Sequence, residues 1–116
     1  MSSRNSQKRR EEREAQQLAD AQADARRWIE RLGGQVMQIS GTDSASQQAM
    51  ADASERFTAA NSAISRATTA KQANLARESA LEGMHYVNAA REIMGMNPGP
   101  ELSLIHISEP TRRTPI

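Results

Sequence analysis

The chain has 116 residues, of which 15 are Lys or Arg and 14 are Asp or Glu, so its formal net charge is +1. It is long enough for one small domain with a single core, since a folded chain of about 100 residues buries only about 60 to 65% of its unfolded surface. The absence of cysteine excludes a disulfide framework and thiol catalysis, and no apolar run approaches the ~20 residues of a membrane span, so we predict a soluble protein.

The first predicted element is a long helix over residues 6–40. Its apolar side chains recur at alternating spacings of three and four residues, which is typical of a coiled-coil seam. The seam consists of Ala15, Leu18, Gln22, Ala25, Ile29, Leu32, Val36 and Ile39. It keeps its phase across Gly33 and Gly34, so we predict a helix that kinks there and continues, although each glycine costs about 1 kcal/mol relative to alanine. Residues 1–14 are charged and nearly free of apolar groups, and we expect them to extend this helix into solvent or to fray.

A second helix is predicted over residues 44–67. Residues 40–43 have the composition of a turn, and Ser44 with Gln47 has the spacing of a capping box that opens the helix. The apolar positions again alternate by three and four, as Met50, Ala53, Phe57, Ala60, Ile64 and Ala67. The opposite face is polar, which indicates an amphipathic helix that packs on one side.

A third helix is predicted over residues 69–95. Thr69 and Gln72 form a second capping-box pattern, so we expect the chain to break near Thr68 and Thr69. The seam consists of Ala73, Ala76, Ala80, Gly83, Val87, Ala90 and Met94, and it is widened by Leu75, Leu81, Met84, Tyr86 and Ile93. This broad apolar surface favours a central position in the fold. Gly95 ends the helix, and residues 97–101 form a Pro/Gly linker.

Short connections make neighbouring helices antiparallel, so the predicted fold is all-α. It is either a three-helix bundle or a long antiparallel helical hairpin, with coiled-coil-like, Ala-rich seams and disordered termini. Seams of Ala and Gly allow the helix axes to approach closely.

Glu82 and His85 are spaced so that a carboxylate and an imidazole share one helix face, as in di-iron bundles, which need two such pairs and two further Glu residues. The only other histidine, His106, lies in the C-terminal segment discussed below. There is also no Gly-rich phosphate loop, zinc-ligand cluster or nucleophile with an orienting base. We therefore predict no metal site, no cofactor, no catalytic residue and no small-molecule substrate.

Two sets of residues are candidates for binding. Possible protein-contact residues are the aromatic side chains and their apolar neighbours, namely Trp28, Ile29, Leu32, Phe57, Leu81, Met84 and Tyr86. Possible contacts to phosphates or anionic lipid are Lys8, Arg9, Arg10 and Arg13. Acidic residues follow this basic cluster at once, and no aromatic side chain accompanies it for base stacking, so a solvated helix with internal salt bridges is the alternative interpretation.

Several stretches of the chain carry a family resemblance: residues 27–34, 41–43, 75–91 and 94–101. Together they resemble a family of small, uncharacterised actinobacterial helical proteins, over most of residues 15–101. The resemblance implies that the full-length protein continues past Glu101 into a region rich in Pro, Trp and Gly. No activity is established for that family.

Residues 102–116 are different in kind. Back-translated into codons, they resemble the constant adapter that is joined to DNA before short-read sequencing, and we interpret them as an artefactual tail, excluded from functional reasoning. Without Arg112, Arg113 and Glu109, the acidic and basic residues balance, and His85 is the sole histidine.

These observations predict a non-enzymatic helical interaction or scaffold module, the N-terminal fragment of a longer protein, that self-associates or binds a protein partner. The alternative is an accessory binder of nucleic acid or of an anionic membrane surface through the basic N-terminal segment. The expected location is the cytoplasm, with membrane or envelope association left open through the missing C-terminal region.

Overall fold

The computed structural model describes residues 2–96 and folds them into three helices, α1 (Ser2–Gln38), α2 (Ser44–Arg66) and α3 (Ala70–Ile93). The predicted all-α three-helix bundle is confirmed, and no strand occurs within the described range. The predicted linker 97–101, the adapter-like segment 102–116 and the expected disorder of the C-terminus lie outside the described residues.

α1 begins earlier than predicted, at Ser2 rather than near residue 6. Its 37 residues span about 55 Å at about 1.5 Å per residue, so it is much longer than α2 and α3. Residues 4–17 are exposed. The charged N-terminal part is therefore placed as a helical extension in solvent, which suits the high intrinsic helix propensity of its Arg, Lys, Glu and Gln side chains.

α1 continues through Gly33 and Gly34 without a break. A Cβ atom at Gly33 would lie 2.8 Å from Cε1 of Phe57 in α2, whereas one at Gly34 would meet nothing within 4 Å. Gly33 thus leaves room for an aromatic ring against the α1 backbone. The helix persists because packing on both sides offsets the low propensity of glycine: Leu32 is fully buried and Ile39 is 9% exposed.

The start of α2 differs from the prediction by one residue. Asp43, not Ser44, is the N-cap, with an extended backbone (φ −130°, ψ 178°), and its carboxylate accepts a hydrogen bond from the Ser46 backbone N–H at 2.9 Å. The Ser46 hydroxyl in turn accepts from the backbone N–H groups of Asp43 (3.1 Å) and Thr42 (2.9 Å). This is a capping box, but its members are Asp43 and Ser46, and the predicted pair of Ser44 and Gln47 is wrong.

The break between α2 and α3 falls at residues 67–69, where it was predicted. Thr69 is the N-cap of α3, and its hydroxyl accepts from the Gln72 backbone N–H at 3.1 Å. The Gln72 side chain reaches back one residue further than a capping box requires and accepts from the Thr68 backbone N–H at 2.8 Å. Two N–H groups at the start of the helix are thereby satisfied.

α3 ends in a left-handed turn at Gly95, whose φ is +80°. The Gly95 N–H donates to the Glu92 carbonyl at 3.1 Å, and the Met96 N–H donates to the Arg91 carbonyl at 2.6 Å. This pair of bonds is a Schellman motif, which favours glycine because a side chain is strained at positive φ.

Most members of the three predicted seams lie in the core, but Ala15 is exposed, and Leu18, Gln22, Val36, Phe57 and Met94 are half-buried. The buried side chains of the core are Ala25, Ile29, Leu32, Ile39, Ala49, Met50, Ala53, Ala60, Ile64, Ala67, Ala73, Ala76, Ala80, Met84, Val87 and Ala90. α3 is the central helix, because it packs more extensively on α1 and on α2 than those two pack on each other. At Gly83 all three helices meet, since a Cβ there would lie 2.5 Å from Leu32 Cδ2 of α1 and 3.0 Å from Arg56 Cβ of α2.

Replacing Ser46 by alanine is expected to lower the free energy of unfolding by about 1 to 3 kcal/mol, because the buried hydroxyl satisfies two backbone N–H groups. Urea denaturation followed by circular dichroism measures the change. Ser44→Ala is the matched control: Ser44 is exposed, and its replacement should change stability by less than about 0.5 kcal/mol. Equal losses in the two variants would contradict the assignment of Ser46 to the capping box.

The same capping box makes stability depend on pH. The Ser46 hydroxyl and backbone N–H both donate to the Asp43 carboxylate and hold its pKa below the ordinary value of an aspartate. The resulting stabilisation is fully present above the ordinary aspartate pKa and is lost as pH falls through the lowered pKa. Asp43→Asn keeps an acceptor that does not titrate, so the stability of the wild type relative to this variant should decline in urea denaturations at increasingly acid pH. A difference that stays constant with pH would contradict the role of the charged carboxylate.

Candidate functional site

Three of the predicted protein-contact residues are core residues. Leu32 is fully buried, Met84 is 3% exposed and Ile29 is 5% exposed. Their prediction as contact residues is wrong for the folded bundle, because α1 and α3 use these side chains to pack on each other and on α2. No docking partner reaches them without opening the core.

The other four predicted contact residues, Trp28, Phe57, Leu81 and Tyr86, are half-buried. Phe57 is held against Gly33 of α1. Trp28 packs on the core rim, and the Arg31 guanidinium carbon lies 5.6 Å from its ring centroid, within the range of a cation–π contact. Trp28 lies on α1, Phe57 on α2, and Leu81 and Tyr86 on α3, so the four residues come from all three helices.

A line of exposed and half-buried side chains runs along the outer side of α3. We name it the outer stripe, and it consists of Leu75, Ser79, Glu82, Tyr86, Ala89 and Ile93. The members alternate at spacings of four and three residues, so they follow one side of the helix for about 27 Å. Leu75 and Ile93 are 57% and 45% exposed, which is high for large aliphatic side chains. The outer stripe is therefore an apolar line with a carboxylate near its middle.

The outer stripe borders on α2. Glu82 Oε1 lies 3.6 Å from Nη1 of Arg56, and the two side chains are 54% and 35% exposed. Beside Leu75 lies an open groove of about 220 Å³, formed by that residue with Ala63, Arg66, Ala67 and Gln72. An ion pair this exposed contributes little to stability, so Glu82 stays accessible to other donors.

Sequence reasoning selected only Tyr86 from the outer stripe. Leu75 and Ile93 were assigned to the widened apolar surface of the third helix, and Ser79, Glu82 and Ala89 received no role in protein contact. The four-and-three spacing could not single out the outer stripe, because every line of residues along one face of a helix has this spacing.

A second apolar surface lies where α1 ends and α3 ends. Ile39, Met94 and Met96 line an open groove of about 360 Å³ together with polar atoms of Gln38, Ser40 and Thr42. Met37, near the end of α1, is 87% exposed. Methionine side chains adapt to irregular partners, but this groove has no charged group to orient one.

The predicted anion-contact residues Lys8, Arg9, Arg10 and Arg13 are all exposed on the helical extension of α1. At about 3.6 residues per turn, Arg4, Lys8 and Glu11 continue the line of the α1 seam, whereas Arg9 and Arg13 lie on the opposite side. The extension leaves the bundle at the turn between α2 and α3, where Glu14 and Gln17 lie beside residues 68–70. Its acidic and basic groups are thus interspersed around the helix.

Among the described residues, Glu82 and His85 are the Glu and His pair with metal-ligand spacing, and Glu82 is paired with Arg56. His85 itself is exposed. Across residues 2–96, His, Asp and Glu side chains form no group of three or more that could hold a metal ion. Within the same range no helix combines the length and the apolar character needed to cross a bilayer.

Comparisons with protein-family models, with curated proteins and with solved structures found no match to the chain. The choice among the outer stripe, the methionine-lined groove and the basic extension therefore depends on the geometry of the chain itself.

Proposed function

We propose that this protein is a non-enzymatic helical interaction module whose binding surface is the outer stripe of α3. The observation that carries the proposal is the alignment of two large, exposed aliphatic side chains, Leu75 and Ile93, with the half-buried Tyr86 on the central helix. Burying such a side chain in an interface contributes roughly 1.5 to 3 kcal/mol, and neither residue is needed to complete the core. Apolar side chains on one side of a rigid helix are the anchors by which a helix binds a protein partner.

The proposed location is the cytoplasm, because a chain without cysteine suits a reducing compartment. The proposed partner is a protein, either a second copy or another chain, and the proposal includes no small-molecule substrate and no cofactor.

The test compares the wild type with a variant that carries Leu75→Gln and Ile93→Gln. We expect the variant to stay folded by circular dichroism, since both positions are largely exposed, and to lose the protein contact. Sedimentation velocity measures self-association, and quantitative capture on the immobilised chain measures the retention of other proteins. The matched control carries Asn74→Gln and Glu92→Gln, at two exposed positions of α3 outside the outer stripe with the same separation along the chain. A wild type that is monomeric and retains the same proteins as the stripe variant would contradict the proposal.

A second candidate function is the binding of nucleic acid or of an anionic membrane surface through the helical extension. It is supported by the exposure of the four basic residues Lys8, Arg9, Arg10 and Arg13. Binding of this kind should weaken steeply with salt, because neutralised phosphates release counterions. Changing these four residues to Gln should abolish binding to duplex DNA or to vesicles of anionic lipid, whereas changing Glu11, Glu12 and Glu14 to Gln should strengthen it. Binding that is the same in both variants would remove this candidate.

A further inference from the structure

We propose that two copies of this chain pair through their outer stripes, with the two α3 helices antiparallel and related by a two-fold axis on the stripe side of α3, level with residue 84. This inference rests on the proposed function and names the partner as a second copy. An interface of this kind is isologous, so every contact occurs twice.

The spacing of the outer stripe is the first argument for a second copy. Read from Leu75 to Ile93 or from Ile93 to Leu75, the intervals are the same: four, three, four, three and four residues. A two-fold axis midway between Glu82 and Tyr86 therefore places each member opposite another member. Any helix face that alternates in this way over an odd number of intervals has the same property, so the spacing permits the pairing, and the facing residues must favour it.

The chemistry of the resulting pairs is the second argument. At the two ends Leu75 of one copy meets Ile93 of the other, so both exposed aliphatic side chains are covered. Further in, Ser79 meets Ala89, and two small side chains allow the helix backbones to approach closely. The residues of these two outer pairs are thus matched in size or in apolar character.

The centre of the interface is polar and self-complementary. There Glu82 of one copy meets Tyr86 of the other, so each carboxylate can accept a hydrogen bond from a phenol. Arg56 lies 3.6 Å from Glu82 in the same chain and balances its charge. In a parallel pairing the two Glu82 carboxylates would instead face each other, and like charges at the centre of an interface disfavour that register.

α2 helps to form a groove that can accommodate a side chain at the end of the partner's outer stripe. The groove of about 220 Å³ beside Leu75, lined by Ala63, Arg66, Ala67 and Gln72, lies where the antiparallel pairing brings Ile93 of the second copy. One helix pair about 27 Å long buries less area than a standard interface, so we expect a weak dimer whose population depends on concentration.

Sedimentation equilibrium of the full chain over a range of concentrations tests for the dimer. The wild type should show a reversible monomer–dimer equilibrium, and Leu75→Lys should raise the dimer dissociation constant by about tenfold or more, because each dimer loses two aliphatic contacts. The double variant with Leu75→Lys and Ile93→Glu should recover part of that loss, since the introduced lysine then faces the introduced glutamate of the other copy. A chain that stays monomeric at every concentration, or a double variant weaker than the single one, would overturn the inference.

Thiol cross-linking tests the register, and the chain has no cysteine of its own to interfere. An equal mixture of Leu75→Cys and Ile93→Cys chains should give a covalent dimer with a short bismaleimide, while either variant alone should not, because like positions lie about 27 Å apart in the antiparallel pair. The matched control is a mixture of Asn74→Cys and Glu92→Cys, which are exposed on α3 but outside the outer stripe, and it should stay monomeric.

The outcomes separate this inference from the proposed function. Cross-linking of Leu75→Cys to itself would indicate a parallel pairing and overturn the two-fold arrangement, although self-association would stand. A monomeric wild type would also overturn the two-fold dimer. The proposed interaction function fails only if two results occur together: the wild type is monomeric, and it retains the same proteins as the stripe variant.

Discussion

Replacing Leu32 by alanine is expected to lower the free energy of unfolding by about 2 to 5 kcal/mol, because it removes a fully buried side chain from the point where the three helices meet. Most other core residues are alanines, so few neighbouring side chains can move to fill the cavity. Urea denaturation monitored by circular dichroism measures the loss.

Gly83→Ala tests the contact between Leu32 of α1 and Gly83 of α3 by adding a methyl group on α3. The added Cβ would lie 2.5 Å from Leu32 Cδ2 and 3.0 Å from Arg56 Cβ, so we expect overpacking to cost about 1 to 3 kcal/mol, less the roughly 1 kcal/mol gained in helix propensity. A double variant combines Leu32→Ala with Gly83→Ala. In it, the methyl group added at position 83 enters the space that the Leu32 side chain vacates. The double variant should therefore be more stable than the sum of the two single changes predicts, by about 1 kcal/mol. Strict additivity would contradict the direct contact between these positions.

Gly41→Ala is expected to lower the free energy of unfolding by about 2 to 3 kcal/mol. A Cβ atom at this position would lie 2.5 Å from Gln47 Cα and 2.7 Å from the Ser46 carbonyl carbon. Both are backbone atoms of the first turn of α2, so no side-chain rotation relieves the clash. The loop must move away, and the hydrogen bonds from the Thr42 and Asp43 N–H groups to the Ser46 hydroxyl are then lost.

Gly34→Ala is the control for this prediction. It also replaces a glycine by alanine, but a Cβ at Gly34 would meet no atom within 4 Å, and the residue lies inside α1. Its expected effect is therefore a gain of about 0.5 to 1 kcal/mol from helix propensity. Thermal and urea unfolding of the two variants should move in opposite directions from the wild type. A Gly41→Ala variant as stable as the wild type would show that the loop does not need this close approach.

The sequence by itself determined the helices and the core face of each. Alternating spacings of three and four residues place Met50, Ala53 and Ile64 on one side of α2 whatever that helix packs against, and all three are buried. The same reasoning identified the seam of α3 and its end at Gly95, because these features depend on periodicity and on local backbone preference.

Helix caps were harder to predict because several neighbouring residues can serve. Asp and Ser are both good N-caps, so Asp43 and Ser44 were equivalent in the sequence. The choice was made by the loop, since the approach of Gly41 to the first turn of α2 buries Ser46 and directs its hydroxyl to the preceding backbone.

Only the tertiary structure decided which of the residues beside each seam are covered by the other helices. Met84 and Leu75 both lie beside the seam of α3, yet Met84 is 3% exposed and Leu75 is 57% exposed. Periodicity places residues around a single helix, but it does not say on which sides the other two helices lie. The positions of α1 and α2 are set by where Gly33, Gly83 and the alanines allow close approach, and the outer stripe is a flank of α3 that this packing covers only in part.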